Sequence, residues 1–134
     1  MNTPIRKYKK LEEENLNRER QLSSLFNIIS NNLLLASETL GNEHNSLKAV
    51  EELESVSQKA KKLAGDLVSP DKNDDLNERI SLLKHKMLSL VDDLSEELNK
   101  IKQEKEVDDK TIEDIIVAKR LLRESHRGLV TIQD

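Results

Sequence analysis

The sequence predicts an all-α fold: long helices in antiparallel hairpins, forming a helical bundle or coiled coil completed by a partner chain. Three observations carry this. First, Leu76, Ile80, Leu83, Met87, Leu90, Leu94, Leu98 and Ile101 recur at steps of four, three, four, three, four, four and three, a heptad seam with one extra step near its end. Second, 36% of the 134 residues are charged, while Gly and Pro together number only five. Third, Tyr8 and Phe26 are the only aromatic residues, so leucine dominates the apolar set. Abundant Leu, Glu, Lys and Arg at helical period is the composition of long helices.

The same composition limits function. No cysteine is present, which removes disulfides, thiolate metal sites and cysteine nucleophiles. The net charge of −4 gives no general case for nucleic acid, which selects a basic face. The longest apolar cluster, Leu33 to Ala36, is too short to span a bilayer, and Met1–Lys10 has no signal-peptide pattern. A soluble intracellular protein of nucleus or cytoplasm is expected, without membrane insertion. Few large side chains mean modest burial per residue, so a partner is expected to supply part of the core.

Taken in order, Met1–Lys10 holds Arg6, Lys7, Lys9 and Lys10 and no acid. Thr3 fits an N-cap and Pro4 the first helical position. The basic cluster opposes the helix dipole, so it reads either as a solvated start or as a docking site for an acidic partner. The first long helix runs to Leu40. Tyr8, Leu11, Asn15, Arg18, Leu22, Leu25 and Ile29 follow heptad steps, and the seam then shifts to Leu33, Ala36 and Leu40. Phe26, Ile28, Leu34 and Leu35 add a second apolar face, which predicts burial on two sides.

Gly41 is expected to stop this helix in the left-handed conformation. Asn45 or Ser46 can cap the second helix, which reaches about Val68 with Ala49, Leu53, Val56, Ala60, Leu63 and Leu67 on one face. Its alanines allow close approach to the first helix in a hairpin. Residues 1–68 thus form an N-terminal helical hairpin, and the aperiodic residues 69–74 a linker.

Residues 75–134 hold a long helix, a shorter helix and a tail. Asp75 and Glu78 resemble a capping pair. Lys102–Asp109 is a charged run that fits a solvated end, a continuous exposed helix or a hinge. Thr111 with Asp114 marks a new start, and Ile112, Ile115, Ile116, Ala118, Leu121 and Leu122 form the next apolar face. Gly128 is expected to end that helix, leaving Leu129–Ile132 as a loose tail.

Chemistry is sparse. His44, His85 and His126 lie far apart, with no HExxH and no Glu-x-x-His pair, so no metal ligands are assigned. No glycine cluster can cradle phosphate. Carboxylates occupy exposed helical positions near Lys and Arg, as Glu97 does near Lys100. No catalytic residue and no cofactor are expected. Lys59, Lys61 and Lys62, the N-terminal basics, and Arg120, Arg123 and Arg127 form separate basic clusters without interleaved aromatics, which does not suit single-strand stacking.

Both prolines sit in Ser/Thr-Pro-x-Lys/Arg patterns, Thr3-Pro4-Ile5-Arg6 and Ser69-Pro70-Asp71-Lys72. Thr3 and Ser69 are therefore phosphorylation candidates, of the kind cyclin-dependent kinases modify. In helix pattern alone, the layout resembles the small helical subunits of kinetochore, Mediator and vesicle-tethering complexes. The expected function is a non-catalytic structural or adaptor subunit of an intracellular multiprotein complex; the two motifs, if used by a kinase, tilt it toward a cell-division (kinetochore- or spindle-type) assembly. Leu25, Ile29, Leu33, Leu83, Met87, Leu90 and Leu94 are the expected contacts with other helical subunits. The alternatives are a nucleic-acid or chromatin accessory protein, a transcription or tethering subunit, and a homo-oligomeric coiled coil.

Overall fold

The computed structural model describes the backbone of residues 3–41, 48–70, 75–103 and 107–132, with side chains from residue 16 in the first helix and residue 50 in the second. Among these residues there are four helices: α1 (Thr3–Gly41), α2 (Lys48–Leu67), α3 (Leu76–Lys102) and α4 (Asp109–Val130). The chain is all-α and forms a four-helix bundle. Each helix packs on two neighbours: α1 on α2 and α4, and α3 on α2 and α4. Among the described residues the backbones of the diagonal pairs do not approach.

All neighbours are antiparallel. Ser23, Ser30 and Ser37 of α1 meet Ala64, Ser57 and Val50 of α2, so each step of seven along one helix is a step of seven back along the other. Arg79 of α3 meets Asp66 of α2. Along α4, Lys119 meets Asn99 of α3 and His126 approaches Asp92. Gly128 lies against Leu25 and Ile29, which brings the end of α4 to the middle of α1. This is an up-down-up-down arrangement with short connections. At 1.5 Å per residue, the 39 residues of α1 span about 58 Å, against about 30 Å for the 20 residues of α2. By the serine register α2 ends opposite Arg20, so the N-terminal part of α1 runs past it.

The expected hairpins exist, but they share one core. Phe26, Ile29, Leu33 and Leu40 of α1 cluster with Leu53, Leu63 and Leu67 of α2, Met87, Leu94 and Leu98 of α3, and Ile115 and Leu122 of α4. The apolar residues of each helix recur every three or four positions, so they line one stripe, and the four stripes close on one another. A cluster of fully buried aliphatic side chains, each contributing roughly 1.5–3 kcal/mol on burial, replaces the missing aromatics.

Several helix ends differ from expectation. Gly41 is the last residue of α1 but no described glycine has positive φ, so the stop is not a left-handed cap. Asp75 precedes α3, yet its side chain makes no capping bond; its backbone carbonyl instead accepts from the Arg79 N–H at 2.9 Å. α4 begins before Thr111. Asp108 is the N-cap, and its carboxylate accepts from the Thr111 N–H at 2.8 Å. α3 ends at Lys102, so α3 and α4 are separate helices. The Asn45 and Ser46 caps and the N-terminal side chains lie outside the described residues.

The C-terminus differs most. α4 passes through Gly128 to Val130. Leu129 is fully buried and Ile132 is 3% exposed, so the expected loose tail is part of the core. At Gly128, inside the helix, a Cβ would stand 3.1 Å from Leu25 Cδ1 and 3.4 Å from Ile29 Cδ1. Its absent side chain lets α4 seat closely on α1. Beyond it, the Thr131 and Ile132 N–H groups bond the Gly128 and Leu129 carbonyls, and the buried Lys84 of α3 donates to the Ile132 carbonyl at 2.6 Å.

Candidate functional site

The seven expected partner contacts lie in the chain's own core. Ile29, Leu33, Leu83, Met87, Leu90 and Leu94 are buried, and Leu25 is half-buried beside Gly128. The seam is closed by the chain's own four helices, and the residues left outward are different ones.

The α1–α2 contact is closer and more polar than a leucine seam. Ser23, Ser30 and Ser37 are 6%, 4% and 7% exposed, and their hydroxyls donate to the Ala64, Ser57 and Val50 carbonyls at 2.7, 2.6 and 3.1 Å. Ala64, fully buried, is itself the acceptor for Ser23. A serine hydroxyl can reach a neighbouring helix's backbone only where small residues bring the axes together. The heptad spacing of Ser23, Ser30 and Ser37 was the available sequence signal; among apolar patterns it reads as polar background.

Two outward surfaces remain. The first is the outer face of α1. Gln21 to Ser37 contains no charged residue, although 36% of the chain is charged. Within it Ile28 is 57% exposed, Leu35 49% and Leu34 37%. The second apolar face read from the sequence thus divides: Phe26 enters the core, while Ile28, Leu34 and Leu35 point to solvent.

The second is a groove of about 330 Å³ between α2 and α3, lined by Lys59, Lys62 and Leu63 of α2 and Arg79, Leu82, Leu83 and Lys86 of α3. Leu82 is 64% exposed. Arg79 bonds Asp66 at 2.7 Å. Among the described residues no carboxylate pairs with Lys59, Lys62 or Lys86. A side-chain hydrogen bond with Lys86, that lysine's charge and some desolvation all hold the Lys59 pKa below the ordinary lysine value. Like charges are therefore held together without a counter-ion among the described residues.

The other candidates are dispersed. Ser69 is half-buried between α2 and α3, its N–H on the Asp66 carbonyl and its neighbour Pro70 exposed. Thr3 opens α1, and its side chain lies outside the described residues, as does His44. His85 is exposed, and His126 Nε2 is 3.8 Å from Asp92 Oδ1. Among the described residues no three His, Cys, Asp or Glu side chains form a metal-binding group, and no helix is long and apolar enough to cross a membrane. Arg123, Lys119 and Arg127 do converge between α3 and α4, but Lys119 bonds Asn99 there and Asp92 faces His126.

The fold and surfaces define a four-helix-bundle protein with two outward patches of different chemistry. No family profile, curated protein or solved structure matches the chain.

Proposed function

We propose that the chain is a non-catalytic structural or adaptor subunit of an intracellular multiprotein assembly, engaging another helical protein across the outer face of α1. The supporting observation is the uncharged stretch Gln21–Ser37 with Ile28, Leu34 and Leu35 exposed on it. A solvated helix face in so charged a chain would carry Lys, Glu or Arg. Depletion of charge around exposed aliphatic residues is the composition of an interface core. The proline-directed sites Thr3 and Ser69 extend the proposal to a cell-division assembly, in which phosphorylation would add charge beside Arg6 or near α2.

The test is purification of the tagged full-length chain from its own cells, beside an Ile28→Glu/Leu35→Glu variant. Stoichiometric helical subunits that co-elute with the wild type and are lost from the folded variant support the reading. Recovery of a monomer alone overturns it. Self-association abolished by the same variant would transfer the face to a second copy and replace the adaptor reading with a homo-oligomer.

A further inference from the structure

The α2/α3 groove has a chemistry distinct from the α1 face. Its floor is apolar: Leu63 and Leu83 are 1% and 8% exposed, and Leu82 stands above them at 64%. Its walls are cationic, with Lys59 and Lys62 one turn apart on α2 and Arg79 and Lys86 two turns apart on α3. One carboxylate, Asp66, serves one of these four cations. The surplus positive charge sits in a chain whose net charge is −4, so it is concentrated here against the overall balance.

We propose that this groove docks an acidic amphipathic helix of a partner protein, with an aliphatic side chain seated on Leu82 and carboxylates on either side reaching Lys59 and Lys62 on one wall and Arg79 and Lys86 on the other. Two antiparallel helices present a groove parallel to their axes, and a third helix fills it by laying its apolar stripe along the floor. Carboxylates flanking that stripe at helical spacing fall over the two rows of cations.

Charge complementarity selects this occupant over others. A nucleic-acid backbone would use the lysines but gain nothing from Leu82 or from the apolar floor, and no aromatic residue stands in the lining for a base to stack on. A second copy of this chain would have to bring an acidic stripe. The outward apolar stretch of α1, Gln21 to Ser37, has no acid to offer, and the exposed acids of α3, Asp92, Asp93, Glu96 and Glu97, flank no exposed aliphatic residue.

The experiment is fluorescence anisotropy on the full-length chain with a labelled synthetic peptide carrying leucine at steps of three and four and glutamate on both flanks. Binding is expected. It should weaken with rising ionic strength, and by about tenfold or more in Lys59→Glu/Lys86→Glu and again in Leu82→Gln. Lys59→Gln/Lys86→Gln gives the same readout should charge reversal perturb the fold. Ile28→Glu should leave binding unchanged, which separates this groove from the α1 face. The proposal is overturned by absence of binding, by unchanged binding in the groove variants, or by equal binding of a peptide with its leucines replaced by serine. Tighter binding of a DNA duplex through the same lysines would also overturn it and assign the groove to nucleic acid.

Discussion

The Ser30 hydroxyl of α1 donates to the Ser57 carbonyl of α2 at 2.6 Å, with both residues buried. It is the middle rung of three, and Ser23 and Ser37 repeat it one heptad either side. The ladder fixes both the spacing and the register of the α1–α2 hairpin. The Ser57 carbonyl lies within α2, where the helix's own N–H groups also serve it. Ser30→Ala should therefore cost only about 0.5–1.5 kcal/mol. Ser30→Leu should cost more, about 1–3 kcal/mol, because it forces the helices apart. Urea denaturation of the two variants checks the order; a larger loss for alanine would refute close packing as the reason for serine.

Gly128 should resist enlargement. A Cβ at that position meets Leu25 at 3.1 Å and Ile29 at 3.4 Å. Alanine also gains about 1 kcal/mol of helix propensity, so Gly128→Ala should fall near neutral. Gly128→Val adds branching in the same space and should lose about 1–3 kcal/mol. Pairing it with Leu25→Ala should give a clearly non-additive cycle, since the two changes share one space. Additive energies in thermal melts would place α4 elsewhere.

Adjacent leucines of α3 should behave oppositely. Leu83 is 8% exposed and Leu82 64%. Leu83→Ala should cost about 2–5 kcal/mol of folding stability. Leu82→Ala should stay within about 0.5 kcal/mol and alter binding alone. Chemical denaturation of the isolated chain measures both.

Truncation after Gly128 tests the C-terminus. It removes Leu129 and Ile132, both buried, and the carbonyl that accepts from Lys84. Two buried aliphatic side chains correspond to about 3–6 kcal/mol. A melting temperature unchanged by truncation would return these residues to the loose tail that their sequence suggests.

At the other end of α4, Asp108 accepts from the Thr111 N–H. Asp108→Ala should cost about 0.5–2 kcal/mol, and Asp108→Asn should retain most of the stability, because either oxygen can accept the bond. Equal losses from both would mean that the charge near the helix N-terminus, and not the cap, is what matters.

The sequence by itself determined the four helices, their order and their buried stripes. Leu83, Met87, Leu90 and Leu94 recur at helical period, and that recurrence leaves one face to be hidden wherever the helix goes. Period says which stripe of a helix is hidden, but not whose side chains hide it. The seam that reads as a contact for another polypeptide is closed by the chain's own four helices. The same limit hides the outward surfaces. Ile28 and Phe26 are both apolar residues of one stretch, and only the placement of α2 and α4 sends Phe26 inward and leaves Ile28 57% exposed. Lys59 and Lys86 lie far apart in sequence and become a like-charge pair only when α2 and α3 align. Gly128 reads as a helix stop because glycine is a poor helix former, yet α4 continues through it to Val130, carrying Leu129 into the core with Leu25 and Ile29 packed close against the glycine. Local propensity and periodicity act over a few residues of one helix. Register, close approach and the meeting of distant charges come from packing between helices, which tertiary structure alone decides.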